Sequence, residues 1–394
     1  MNAADSFEVA IAGGALVGAA LARGLRGARV ALISQERPAP QPDTAQYDAR
    51  VYAVSPGNAT FLAQLGVWNS VPEARRTPVH AMRVHGDDGE SLIEFDAYRS
   101  GCSELAWIVE DRLLQQALWR GLENQDGLKL YSGAPVASLE IGSARTAVRL
   151  EDGRELSAQL VVGADGARSQ VRAQAGITVA GRVYGQRAVV ANFACGRPHR
   201  NVALQWFQGA RKQGAVLALL PLRADQVSMV WSVPDAEAAR LLALAPALLA
   251  SEVTLASRAV LGELALVTPQ RAFPLEQLTA TRMVAPRVAL AGDASHVIHP
   301  LAGQGANLGL QDARVLAQVL RSREPGRDAG DLRLLRRYER ERAEDILAMR
   351  TAVHGLFRLF AAGGSGIARL RNAGLNFVDR IPVLKNLLMR HAMG

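Results

Sequence analysis

The sequence predicts an α/β chain, α+β overall: a Rossmann-type domain, an inserted and mainly antiparallel β-sheet subdomain, and a helical C-terminus. Three observations carry that expectation. An apolar run near the N-terminus breaks into glycines and resumes as an Ala/Leu-rich stretch, residues from about 184 to 282 carry alternating or mixed strand patterning, and the chain after Gly292-Asp293 is mainly helical in pattern. The chain then divides into a discontinuous nucleotide-binding domain (1–79, 104–182 and 283–350), a substrate sheet subdomain (80–103 and 183–282) and a C-terminal helical segment (351–394).

In order, residues 7–12 read as a buried strand, 13–18 as a turn, the stretch to Leu25 as a helix, and 29–33 as a second buried strand. That is a βαβ unit of the expected length. Residues 82–85 and 91–95 flank Asp87-Asp88-Gly89 as a hairpin. Residues 110–123 return to amphipathic helix. The segments 148–150 and 156–162 form a second hairpin-like pair that ends at Gly163-Ala164-Asp165-Gly166. In the insert, 202–207, 215–220 and 226–231 read as strands, and 236–257 as one helical stretch. A last buried strand, 287–291, leads into Gly292-Asp293.

Composition bounds the function. A hydrophobic content of 49% with 21% charged residues is that of a folded globular protein of 394 residues, which excludes a disordered chain. Lys and Arg number 45 against 37 Asp and Glu, a net +8, yet lysine occurs only as Lys129, Lys212 and Lys385, so arginine carries the charge. The charges are scattered without interleaved aromatics, so nucleic acid is not expected as a partner, and anionic lipid headgroups or an acidic partner suit the balance better. Cys102 and Cys195 build neither a disulfide framework nor a metal site, which points to a reduced, cytoplasmic protein. Residues 1–8 lack the cationic start of a signal peptide, and no apolar run is long enough to cross a bilayer.

Three motifs carry chemistry. The first turn is a dinucleotide fingerprint with a departure. In G-x-G-x-x-G the first glycine makes the turn, the second lets the backbone approach a pyrophosphate, and the third allows helix–strand packing. Here those positions are Gly13, Ala15 and Gly18, with Gly14 between, so the middle one carries a methyl. The acid expected to grip a ribose is displaced as well: strand two ends at Ser34, and Glu36 follows on the same face. A non-binding βαβ turn is the competing reading. The second motif, Asp165-Gly166 at the end of a buried strand, lies where open α/β sheets bind ligands, and Asp165 reads equally well as an N-cap for a helix over 169–175.

The third motif decides the matter. Gly292-Asp293 at a strand end places Asp293 to accept hydrogen bonds from ribityl or ribose hydroxyls. Gly303-Gln304-Gly305 then opens a helix that continues through Ala306 and Asn307. Its free N–H groups and positive dipole end suit the charge that develops on N1 and the C2 carbonyl of a reduced flavin. So many small and polar residues make poor core. FAD is the expected cofactor, with Gly303, Gln304 and Gly305 as the preorganised catalytic donors.

Together these elements resemble the class A flavoprotein aromatic hydroxylases. Within them His299-Pro-Leu-Ala-Gly-Gln-Gly-Ala-Asn-Leu-Gly-Leu-Gln-Asp312 is similar to the signature of the ubiquinone-biosynthesis hydroxylases. The resemblance covers nearly the whole chain, including Tyr47-Asp-Ala-Arg-Val-Tyr-Ala-Val-Ser55 and Trp107-Ile-Val-Glu-Asp-Arg112; Ala15 and Ser34 depart from it. It implies that Arg50 and Arg112 lie along the FAD, that Asp165 touches the pyrophosphate region, and that Pro300 packs by the isoalloxazine. His296 and His299 are expected to be structural.

The resemblance also implies a reaction. NAD(P)H visits transiently and reduces FAD, dioxygen forms a flavin C4a-hydroperoxide, and an electron-rich polyprenyl-phenol ring takes one oxygen, as in ubiquinone biosynthesis. The inserted sheet would wall the pocket, with Trp206, Leu219, Pro221 and Trp231 as candidate lining, each of which could equally be plain core. Beyond His354, Arg358, Arg369, Arg371, Arg380, Lys385 and Arg390 face Asp379 alone among interspersed leucines and phenylalanines. Such a basic amphipathic end suits the inner face of a membrane, another protein of the pathway, or the domain's own surface. Two alternatives stay open: a hydroxylase of another aromatic metabolite, and a non-catalytic FAD-binding assembly subunit.

Overall fold

The strand Val30–Ser34 is buried along its whole length and Ser6–Ala12 along most of it, as strands covered on both faces must be. In the computed structural model, which describes residues 5–38, 47–87, 91–209, 214–298 and 305–361, these two run parallel, with Ala12 opposite Ile33. Glu155–Gly163 lies parallel on the other side of Ser6–Ala12, and Leu128–Ser132 lies beyond Val30–Ser34. Val288–Leu290 pairs parallel with Glu155–Gly163 and carries Val284–Ala285 at the edge. The hairpin of Val136–Ile141 and Thr146–Leu150 branches antiparallel from Glu155–Gly163.

The helices Leu16–Gly24, Asp111–Leu122 and Gly305–Arg321 cover one face, with Leu21, Leu114, Leu118 and Leu316 in a shared core. Val148, Leu156 and Val171 belong to the core on the opposite face. Ala12, Gly163 and Leu290 stand at neighbouring register positions, so the three motif-bearing turns leave the sheet at the same carboxyl edge. That edge is where open α/β sheets bind ligands.

A second sheet runs in the order His296–Val297, Arg271–Ala280, Val179–Cys195, Gln226–Pro234, Val216–Leu222, Val202–Phe207, Ala81–His85, Leu92–Asp96. It is antiparallel except where Val202–Phe207 meets Ala81–His85. A small third sheet joins Val51–Val54, Ala106–Glu110 and Thr77–Val79; the sequence pattern did not suggest it.

Some expectations change. The helical stretch over 236–257 is two helices, Asp235–Ala243 and Pro246–Ala256, because Pro246 cannot continue the first and instead opens the second. The long strand Val179–Cys195 runs through the expected boundary at 183 and pairs with Arg271–Ala280 from Val179 onward. His296–Val297 also joins the second sheet, so the two sheets share the chain just after Gly292-Asp293. The helix Leu332–Ala361 crosses the expected start of the C-terminal segment at 351. The basic stretch from residue 362 onward lies outside the described residues.

Candidate active site

Gly13 adopts φ +107°, and a Cβ there would stand 2.1 Å from the Ala164 carbonyl oxygen. The first and second motifs therefore touch, and only glycine permits it. Gly14 is held from behind: Trp119 Nε1 donates to its carbonyl at 2.8 Å, and a Cβ on it would meet the Ser34 hydroxyl at 2.4 Å. Ser34 is small because Gly14 lies against it, and its hydroxyl donates to the Glu36 carbonyl at 2.6 Å, in the turn that brings Glu36 to the cleft. Ala15 stands at the N-cap with φ −74° and ψ −170°, extended backbone that any residue adopts, so its methyl strains nothing. Gly18 faces the Gly13 carbonyl and not the cleft; its part is packing.

Asp165 divides its carboxylate. Oδ2 accepts from the backbone N–H of Gln170 and Val171 at 2.8 and 3.1 Å, which is the capping geometry, while buried Oδ1 has no partner among the described residues. Ser169 caps the helix Gln170–Gln174 as well, accepting from the Arg172 N–H at 2.9 Å. Buried Arg172 donates to the Ala294 carbonyl at 2.8 Å and so ties the second motif to the third.

The third motif is built around Asp312, which is fully buried. Its Oδ2 accepts from the Gly292 N–H at 2.9 Å and from His296 Nε2 at 2.7 Å, and its Oδ1 from Arg342 Nε at 2.7 Å. Burial alone would raise this carboxyl, but His296 and Arg342 outweigh it and hold it below the ordinary value. His296 is structural, as expected. The node fixes Gly292 at φ +60° and turns Asp293 into the cleft, where the surrounding protein raises its carboxyl against the pull of His296 and Arg50. Asn307 is a second node: its Oδ1 accepts from the N–H of Ser55 and from Asn58, and its Nδ2 donates to the Ala53 carbonyl. Its side chain thus serves the scaffold, while Gly305, Ala306 and Asn307 still edge the cleft at the helix start.

Arg50 and Arg112 line the cleft too. Arg50 pairs with Asp111 at 3.4 Å and lies between the rings of Tyr52 and Phe273, 5.5 and 5.7 Å from their centroids; Arg112 pairs with Asp48 at 3.5 Å. Gly13, Gly14, Ala15, Glu36, Asp165, Gly166 and Asp293 thus meet these arginines in one cleft of about 2060 Å³. Gly292 stays behind its wall. Pro300, Gly303, Gln304 and His299 lie outside the described residues. Tyr52, Asp111 and Phe273 were missed; the first two lie in the segments 47–55 and 107–112, and Phe273 carries no local signal.

The expected substrate residues need correction. Trp206, Leu219 and Trp231 belong to the core on the far side of the second sheet, under the helices Asp235–Ala243 and Pro246–Ala256, and Pro221 does not line the cleft either. Trp206 stacks on His85 at 5.3 Å, and Trp231 Nε1 donates to Gln208 at 3.3 Å. Side chains alternate along a strand, and here both faces are buried, so Trp206 and Trp231 fall on the packed face while their neighbours Gln205, Phe207, Ala218, Leu220 and Val230 face the cleft.

The family model for an FAD binding domain matches residues 6–351. The chain is 34% identical over 394 residues to 3-demethoxyubiquinol 3-hydroxylase of Escherichia coli, covering 98% of each, and 36% identical to ubiquinone hydroxylase UbiL of Rhodospirillum rubrum, covering 98% of this chain and 89% of that protein. The chain belongs to the FAD-dependent monooxygenases of ubiquinone biosynthesis. Among solved structures it resembles Pseudomonas aeruginosa PqsL in complex with 2-aminobenzoylacetate (TM-score 0.75, 25% identity, 94% of this chain and 100% of that one). In fold it also resembles p-nitrophenol 4-monooxygenase PnpA of Pseudomonas putida (TM-score 0.78, 20% identity, 99% of each chain). The protein is thus an enzyme with FAD as cofactor, and the reading as a non-catalytic assembly subunit is set aside.

The residues of this monooxygenase fit FAD. The cleft is about twice the upper end of ordinary small-molecule pockets, roughly 300–1,000 Å³, so it can take a dinucleotide and a substrate together. Asp165 Oδ1 is a buried acceptor in want of a donor, Asp293 brings a second carboxylate to the cleft wall, and the bare backbone of Gly13-Gly14 admits close approach.

Proposed function

We propose that this enzyme hydroxylates the aromatic ring of a polyprenyl-substituted phenol, consuming NAD(P)H, a proton and dioxygen and releasing NAD(P)+ and water with the hydroxylated ring. The observation that carries the reading is the continuity of the cleft. It runs from the Gly13 turn and Asp293 onto an apolar sheet floor that reaches the edge strand Leu92–Asp96 through Met82, Val84, Ile93 and Phe95. A ring beside the cofactor and an isoprenoid tail along that floor would both be sheltered from water. The names of the relatives, a demethoxyubiquinol hydroxylase and a ubiquinone hydroxylase, point to the same substrate class.

Bound FAD would take a hydride from NAD(P)H and supply the reduced ring at which dioxygen is activated. The chain's own residues then have separate tasks. Asp293 and Glu36 accept from cofactor hydroxyls, Arg50 and Arg112 face its negative charge, and Asp165 holds the pyrophosphate turn. Gly305, at the start of its helix, would offer its N–H where negative charge develops on the reduced ring. The apolar floor excludes water, which would divert the oxygen to peroxide. Among the described residues no helix is long and apolar enough to span a membrane. We place the enzyme in the cytoplasm, peripheral at the inner membrane face, with the basic segment beyond residue 362 as its contact with lipid or with other proteins of the pathway.

The test is reconstitution with FAD. NAD(P)H oxidation should rise with a short-chain polyprenylphenol and yield a product with one added oxygen. Oxidation that rises only with an unprenylated aromatic would replace the substrate assignment.

A further inference from the structure

The floor of the cleft carries one polar side chain in a position that packing does not explain. Across the second sheet, Val190, Val230, Ala218, Gln205, Val84 and Ile93 stand opposite one another in register, and all six line the cleft. With strands about 4.8 Å apart, Gln205 lies near the middle of this row. Its residue is 5% exposed. Its side chain leaves the strand on the cleft side, away from Leu204 and Trp206 in the helix-packed core. Arg271, opposite Val190, is the next polar member of the row, but it stands exposed at the far end. Ala218 across from Gln205 and Ala203 two residues before it are small, and Phe207 and Leu220 line the cleft beside them.

We propose that Gln205 is the specificity-determining residue for the aromatic substrate: its amide binds the oxygen substituents of the ring and sets which ring carbon faces the cofactor. An amide both donates and accepts, so its oxygen can accept a hydrogen bond from a phenol hydroxyl and its N–H can donate one to a neighbouring hydroxyl or ether oxygen. Its neighbours in the row, Val230, Ala218, Val84 and Ile93, offer only apolar contact, which holds a ring without fixing its rotation. A leucine would fill the same volume and continue the apolar floor; a glutamine instead turns a donor and an acceptor to the cleft, where a ligand can pair with them. The inference rests on the proposed reading for the identity of the substrate, but the pairing of amide with ring oxygen is testable on any phenol that the cleft accepts.

The experiment uses the FAD-loaded enzyme without NAD(P)H. Binding of a short-chain polyprenylphenol and of the same molecule lacking the ring hydroxyl is followed by the perturbation of the flavin absorbance. In the wild type the phenol should bind more tightly. In Gln205→Leu the phenol should bind about tenfold to a hundredfold more weakly while the deoxy analogue is unchanged or tighter, so that the preference collapses. During turnover the same variant should spread hydroxylation over more than one ring position. Equal weakening of both ligands, or no change in either, would overturn the proposal, since each means that the amide does not read the oxygen. If Gln205→Leu does not retain FAD, Gln205→Met and Gln205→Asn decide: the first should lose the preference, and the second should keep part of it. An enzyme that prefers the phenol through Gln205 but hydroxylates only another phenol would leave this inference standing and remove the substrate assignment. One that hydroxylates the polyprenylphenol identically with leucine at 205 would do the reverse.

Discussion

Asp312→Asn is the perturbation from which the most can be worked out. The wild-type carboxylate is 0% exposed and serves three donors: the Gly292 N–H, His296 and Arg342, the last of which is itself only 1% exposed. Asparagine keeps one acceptor oxygen and the volume but removes the charge. Arg342 retains Asp345, which is half exposed, and a long contact of 3.4 Å to the Leu308 carbonyl. Breaking a buried pair by neutralising one partner costs about 3–5 kcal/mol, a large share of the roughly 5–15 kcal/mol that holds a typical domain folded. The loss should be read by urea denaturation of the apoprotein. FAD affinity should fall in parallel, because one amide oxygen cannot serve all three donors and Asp293 loses its fixed aim. A control separates the two effects. Asp312→Leu combined with Arg342→Met removes both charges together, and such replacements are often neutral or stabilising. Stability should return toward wild type while FAD affinity stays low, since the Gly292 N–H is still unsatisfied. An Asp312→Asn enzyme with wild-type urea midpoint and wild-type FAD affinity would refute the assignment of this node as the support of the third motif.

The same carboxylate sets a pH dependence. Its folded pKa is lowered, so its stabilisation is complete above the unfolded value of about 3.9 and is lost as pH falls through the folded value. The stability gap between wild type and Asp312→Asn should therefore be constant above about pH 5 and narrow in more acid solution, as urea midpoints across pH will check. Asp293→Ala should release FAD, seen as loss of the flavin colour on desalting, with little effect on apoprotein stability. Ala15→Gly should keep or tighten FAD, because the backbone there is extended and the methyl faces the cleft; loss of binding would mean that the first turn is misaligned. Leu219→Ala should cost about 2–5 kcal/mol of stability and leave the KM for substrate unchanged. Ala218→Leu, one residue away on the cleft face, should raise KM while changing stability little; both are read by steady-state kinetics and denaturation.

The parts of the site that could be read in the sequence are those where chemistry forces a residue type at one place in a short segment. Gly13 is needed because the turn must take a positive φ against the Ala164 carbonyl, and Gly292-Asp293 ends a buried strand at the one edge where a parallel sheet can offer a ligand site. The displaced acid was legible too: Ser34 cannot be larger beside Gly14, and Glu36 reaches the cleft in its place. What could not be read depends on partners distant in the chain. Asp312, His296 and Arg342 are charged or polar residues in three separate elements, and only the packing of Leu332–Ala361 against Gly305–Arg321 reveals that they share one buried bond network. Asn307 was placed among the cofactor contacts for its position at the start of a helix after a glycine turn; it edges the cleft, and the sequence gives no sign that its side chain also holds Ser55 and Asn58.

The substrate wall shows most clearly where sequence periodicity stops being informative. In a sheet with one wet face, alternation separates inside from outside. The second sheet has no wet face over its centre: one side meets helices and the other meets the cleft, so every position of Val202–Phe207 from Ala203 onward is buried. Hydrophobicity then cannot distinguish the two faces, and the small residues on one of them are the better sign of a cavity. The helix-packed face carries Trp206, Leu217, Leu219, Met229 and Trp231, which fill space, whereas the cleft face mixes Phe207 and Leu220 with Ala203, Ala218 and Val230, and the small ones leave room. A pocket wall is therefore better sought among the small residues of a doubly buried strand than among its aromatics. A polar residue among those small ones, as Gln205 is, marks the position where the missing volume belongs to a ligand.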